Sequence, residues 1–153
     1  MEDGGPRGPG GRRPADVWLP AWNTHGAAAL DLAVTSGMRP CQLAHSAVDG
    51  GHATAAYEDR KRTYHNTEAL CRMEGLQLLP LVAEACGGGW GAAAMRAWRA
   101  MGRLTAARSG EAPGTVVEHL LQSLAVTLQR ENARAVLRRA PEGAPAAGHF
   151  SLP

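Results

Sequence analysis

Two short apolar segments, Asp16–Pro20 (DVWLP) and Ala27–Ser36 (AAALDLAVTS), flank the turn-rich stretch Trp22–Gly26 (WNTHG), and Pro14 and Gly37 bound them on the outside. Short β-compatible runs separated by turn residues predict an antiparallel hairpin. Each run carries one aspartate, and Asp16 and Asp31 are equally distant from the midpoint between Asn23 and Thr24. A hairpin centred there pairs the two aspartates whether its loop holds two, four or six residues. Directly opposed residues point to one face, with Cβ atoms roughly 4.5–5.5 Å apart. At that separation two carboxylates can share a divalent ion, and without one their charges repel. The competing reading leaves Asp16 at a strand start on the surface and Asp31 on a solvated face. Leu30, Leu32 and Val34 take one side of the second strand, so Asp31 shares the other with the small residues Ala29, Ala33 and Thr35.

Further along the chain, Met38–Thr54 mixes Pro, Gly, His and small residues and reads as a long loop with at most one helical turn. Ala55–Glu74 suits a helix closed by Gly75. Leu76–Cys86 is a nearly continuous apolar run, the pattern of a buried strand, and Pro80 within it implies a sheet edge or a bulge. Trp90, Ala94, Trp98, Met101 and Thr105 recur at helical spacing, which predicts a helix over about 91–108. A last helix is expected from a capping box at Thr115 and Glu118 to Pro141, with Val117, Leu120, Leu121, Leu124 and Leu128 on one face. The order strand, strand, helix, strand, helix, helix belongs to an α+β or α/β arrangement.

Lys61 is the only lysine beside fifteen arginines. On a continuous helix Tyr57, Lys61, Tyr64, Glu68 and Cys71 share a face, and its aromatic residues imply that it packs inward. Arg60 and Arg62 can then turn to solvent. A lysine on a buried-leaning face beside two carboxylates would orient an attacking water or stabilise charge on a phosphate; the alternative is a side chain that snorkels from the helix edge.

Charge is uneven along the chain. Residues 1–85 carry eight basic and ten acidic side chains, whereas residues 86–140 carry eight arginines against three glutamates. An acidic half followed by a basic half suits a metal-dependent enzyme acting on a polyanion, and solvated helix faces would produce the same pattern. Arg96, Arg99 and Arg103 fall on one face of the second helix, and Arg130, Arg134 and Arg138 on one face of the third. Three cysteines without a C-x-x-C pair suit a reducing, intracellular setting, and no apolar run approaches the roughly 18 residues of a membrane span. Cys41, His45 and His52 match no strong zinc spacing, and Gly87–Gly91 (GGGWG) reads as a tight turn rather than a phosphate loop.

The ordered set Arg13–Asp16 (RPAD), Asp31–Thr35 (DLAVT) and the helical Lys61-x-x-Tyr64 resembles the restriction-like endonuclease, of the PD-(D/E)XK type, found in the C-terminal part of non-LTR retrotransposon reverse-transcriptase polyproteins. The segments LLPLVAEACGGGW and LQRENARAVLRR resemble the tails of such polyproteins, so the likeness runs over about 12–139. It implies a small mixed sheet flanked by helices, with C-terminal helices appended. Asp16, Asp31 and Lys61 would be catalytic, with Asp16 and Asp31 holding Mg²⁺ or Mn²⁺, and Arg13, Tyr64, Arg96, Arg99 and Arg103 would contact nucleic acid. The activity implied is metal-dependent nicking of DNA, in the nucleus where the target is chromosomal, with the RNA or reverse transcriptase of the parent element as further partners and no membrane. Two departures stand out. Ala15 separates Pro14 from Asp16, and Ala33 stands where the general pattern has its lysine, which Lys61 would replace from the helix. Because the leading helix and first strand of that fold have no counterpart in Met1–Arg13, a truncated copy is expected. The organisation is then a disordered 1–13, a nuclease-like core over 14–109, a helix packed on it over 110–140 and a disordered 141–153. The alternative function is a catalytically inactive fragment that serves as a nucleic-acid or protein interaction module.

Overall fold

The computed structural model describes residues 15–23, 26–86 and 89–139. Both terminal stretches expected to be disordered, Arg13 and the Pro141 helix stop lie outside the described residues. The described chain is a mixed α+β fold around a three-stranded sheet of order β1-β2-β3, built from β1 (Val17–Asn23), β2 (Gly26–Thr35) and β3 (Leu76–Glu84). β1 pairs antiparallel with β2, and β2 pairs parallel with β3 from Ala27↔Leu76 to Thr35↔Glu84. The parallel pairing needs a long crossover, which α1 (Pro40–Ser46), α2 (His52–Thr63) and α3 (Thr67–Met73) supply. α4 (Ala92–Ser109) and α5 (Pro113–Leu137) follow β3.

The hairpin register is the expected one near the aspartates, for a different reason. Val17↔Leu30, Trp18↔Ala29 and Leu19↔Ala28 follow the expected symmetry, but Asn23↔Gly26 is offset by two. The strands therefore run further into WNTHG than expected, and extra residues bulged into β1 between Leu19 and Asn23 restore the register.

The two sheet faces are covered by different helices. Ala28, Leu30, Leu79 and Leu81 form one core with Ala94, Ala97 and Trp98 of α4, and Leu120, Leu121 and Leu124 of α5 pack against it. On the other face Ala29 and Leu78 meet Cys71 of α3. β3 is buried on both faces over Leu78–Ala83, as its continuous apolar run implies, and Pro80 sits on an edge strand.

Several expected elements differ. The predicted loop over 38–54 contains the whole of α1 and the start of α2; α1 buries no residue, so no apolar periodicity marks it. The predicted helix over 55–74 is broken at Tyr64–Asn66, where His65 and Asn66 take left-handed φ of 51° and 55°. Gly75, at φ 71°, closes α3 as a helix C-terminal glycine should. No Thr115 capping box forms, because α5 begins two residues earlier at Pro113 with Ala112 as its N-cap. Proline at the first turn needs no N–H partner and its φ is already helical.

Candidate active site

Alternation along β2 sends Asp31 to the face covered by α2 and α3, with Ala29 before it and Ala33 after it. From α2, Lys61 reaches across and places Nζ 2.9 Å from each carboxylate oxygen of Asp31. The side chains are 27% and 16% exposed, so the pair is screened less than a surface ion pair. Lys61 Nζ also stands 5.9 Å from the centre of the Tyr57 ring. The expected inward position of Lys61 and its approach to Asp31 are thus both seen.

Asp16 arrives differently from the expected shared face. Described pairing with β2 stops at Val17↔Leu30, one step before Asp16 would meet Asp31. Asp16 still donates its N–H to Leu30 O at 2.9 Å. Leu32 N–H points to where β1 would have continued, and Asp16 Oδ2 accepts it at 2.7 Å. A backbone donor at a strand end needs an acceptor, and here a side chain takes the place of the missing strand residue. Asp16 is therefore anchored on the residue next to Asp31. Among the described residues Lys61 pairs with Asp31 and not with Asp16, against the expectation that it approaches both.

Tyr64 departs further. The kink ends the continuous face proposed for Tyr57, Lys61, Tyr64, Glu68 and Cys71, leaving Tyr64 58% exposed and against His65 instead of beside Lys61. Cys71 is nevertheless buried close enough to Asp31 to feel its charge: burial first, then the charges of Asp31 and Glu68, push its thiol pKa up. Arg62, expected to face solvent, instead turns to Glu58, with 3.7 Å between Nη2 and Oε2. Arg96, Arg99 and Arg103 are exposed on α4 as expected.

Glu58 was not singled out by sequence reasoning. It is 4% exposed, and Oε1 accepts the Ala93 N–H at 3.0 Å in the first turn of α4. A carboxylate on a helix N-terminus is favoured by the free N–H groups and the helix dipole. It lies one turn before Lys61 and ties α2 to α4 across β3. Its only sequence signal is the i,i+4 pairing with Arg62.

Asp16 keeps one oxygen outside the Leu32 bond, and both Asp31 oxygens are shared with Lys61. Among the described residues no three His, Cys, Asp or Glu side chains converge to hold a metal. Mg²⁺ is commonly bound by one or two carboxylates with water and substrate phosphate completing its shell, so these donors fit that ion and not zinc.

A separate open cleft of about 820 Å³ lies along β3, lined by residues that include Trp22, Arg62, Glu68, Arg72 and Arg96 but none of Asp16, Asp31 and Lys61. Set against known proteins, the chain matches no family model, no curated protein and no solved structure. Among the described residues no helix is long and apolar enough to cross a membrane.

Proposed function

We propose that this chain is a metal-dependent DNA endonuclease of the restriction-like type, related to those of non-LTR retrotransposons, with Asp16, Asp31 and Lys61 as its centre. The observation that carries the reading is the Lys61–Asp31 pair, made between a crossover helix and the central strand, 30 residues apart. The strand order β1-β2-β3, with a helical crossover before the parallel third strand, is compatible with the later part of such a fold.

Asp16 and Asp31 would hold Mg²⁺ or Mn²⁺, which supplies Lewis acidity and lowers the pKa of bound water. The chain's own contribution is electrostatic. Lys61 neutralises Asp31 while the site is without substrate. When a phosphodiester is present, its ammonium can turn to the charge developing on phosphate oxygens or orient the incoming water, with Asp31 released to the ion. The Leu32 N–H fixes Asp16, so that carboxylate needs no reorganisation.

Nicking of supercoiled plasmid by the purified chain should require Mg²⁺ or Mn²⁺, and Asp31→Asn or Lys61→Met should lower it by about 100-fold or more. Absence of cleavage in both metals, or cleavage unaffected by these substitutions, overturns the reading. A second reading, a non-catalytic interaction module, draws on the exposed row Arg96, Arg99 and Arg103; salt-sensitive DNA binding without any metal-dependent nicking would favour it.

A further inference from the structure

We propose that the cleft beside β3 is a binding site for single-stranded nucleic acid, a role that goes beyond the hydrolytic reading and stands whether or not Asp16, Asp31 and Lys61 cleave. Its floor is the first half of β3, Leu76–Leu79, after Gly75. One wall carries Arg62 of α2 with Glu68 and Arg72 of α3, the other carries Ala93, Arg96, Ala97 and Ala100 of α4, and Trp22 of β1 also lines it. Helices on opposite faces of a sheet stand roughly 10 Å from it on each side, which leaves a groove on the scale of one extended chain.

The lining chemistry favours a polyanion with flat bases. Of the three guanidiniums that line the cleft, Arg62 is held 3.7 Å from the buried Glu58 and Arg72 4.0 Å from Glu68, a long and exposed pair that a phosphate can displace. Arg96 makes no ion pair among the described residues. The floor adds directional groups. Gly91 N–H donates to Val82 O and Glu84 N–H to Gly89 O, so Val82 and Glu84 turn their backbone groups to the outer edge of β3. By the alternation of a strand, Leu76 and Leu78 do the same along the cleft. Guanidiniums for phosphates and an indole for stacking are the parts that a single-strand groove combines. Trp22 packs in part against the α4 core, and the portion of its indole that lines the cleft is surface an acidic peptide would not need and a base could stack on.

The test is fluorescence anisotropy of a labelled oligothymidylate about ten nucleotides long, on the full chain, with chelator and no metal. Saturable, salt-sensitive binding is expected, much stronger than for a duplex of the same length. Arg72→Ala and Arg96→Ala should each weaken it by about fivefold to tenfold and reduce the slope of log affinity against log salt by roughly 0.7. Trp22→Leu should lower affinity by about fivefold or more. Arg108→Ala and Arg139→Ala, outside the cleft, should not. Arg72 and Arg96 are exposed, so their variants read out the cleft even if Trp22→Leu impairs folding. Equal affinity for duplex, equal competition by polyglutamate, or unchanged binding in both arginine variants overturns the proposal. Because no metal is present, these outcomes concern the cleft alone, and a failure to nick plasmid concerns Asp16, Asp31 and Lys61 alone.

Discussion

At the scale of single residues the Lys61–Asp31 pair dominates, and its worth can be measured whatever it does for function. Both oxygens of Asp31 lie 2.9 Å from Nζ in a partly desolvated place, so removing one partner leaves the other charged and poorly solvated. A double-mutant cycle with Asp31→Asn and Lys61→Met, read by denaturant unfolding, should give a coupling of about 1–2 kcal/mol, less than for a fully buried pair because Lys61 keeps some solvent. Cys71 gives a second residue-scale expectation. Its folded pKa is raised, so the folded chain holds that proton where the unfolded chain has lost it. The stabilisation is complete below the ordinary thiol range and is lost as pH rises through it and towards the folded value. Thiol labelling near neutral pH should therefore modify the exposed Cys41 and Cys86 quickly and Cys71 only on unfolding. Equally fast labelling of all three would contradict its burial. Asp31 and Lys61 were legible because strand alternation and a lone lysine at helical spacing single them out. The anchoring of Asp16 was not legible, since it depends on where β1 stops pairing.

At the scale of elements, two close approaches hold the layers together. A Cβ at Gly91 would lie 2.1 Å from Glu58 Oε1, so the capping carboxylate and the missing side chain fit as one joint between α2 and α4. Gly91→Ala should cost about 2–3 kcal/mol by forcing the two apart. Glu58→Gln, which keeps an acceptor for Ala93 N–H, should cost less than Glu58→Ala; calorimetric melting of the three variants checks the order. Gly102 plays the same part between α4 and α5. A Cβ there would stand 2.6 Å from Val117 Cγ2 and 3.1 Å from Val117 Cα, so Gly102→Ala should destabilise by about 1–3 kcal/mol. Pairing it with Val117→Ala should recover only part, because the backbone remains in the way. The break between α2 and α3 was the element least visible in the sequence. A continuous helical pattern hides it, although His65 and Asn66 are among the residue types that most readily accept a left-handed conformation.

At the scale of the whole molecule, stability should be graded outward from β2. Among the described strands it alone has a strand paired on each side, and Ala28, Ala29 and Leu30 are all buried. α1 and α5 have no fully buried residue, and Val136 and Leu137 near the end of α5 are 68% and 72% exposed. Amide hydrogen exchange should be slowest in β2 and the adjoining part of β3 and fastest in α1 and the last turns of α5. Protection of α1 equal to that of β2 would contradict this layering.

The sequence by itself determined which residues face which way: Leu30 away from Asp31, Lys61 inward from its helix, β3 apolar on both sides, Gly75 at a helix end. These follow from periods of two and 3.6 residues, which are local properties of the backbone. Only the tertiary structure decided that β3 lies parallel beside β2 with Pro80 opposite Asp31, that Asp16 binds the Leu32 amide, that Glu58 caps α4 and that three arginines line one cleft. Each of these joins groups far apart in sequence, and its geometry depends on how the layers settle to bury Trp98, Leu81 and Cys71, which no local period encodes.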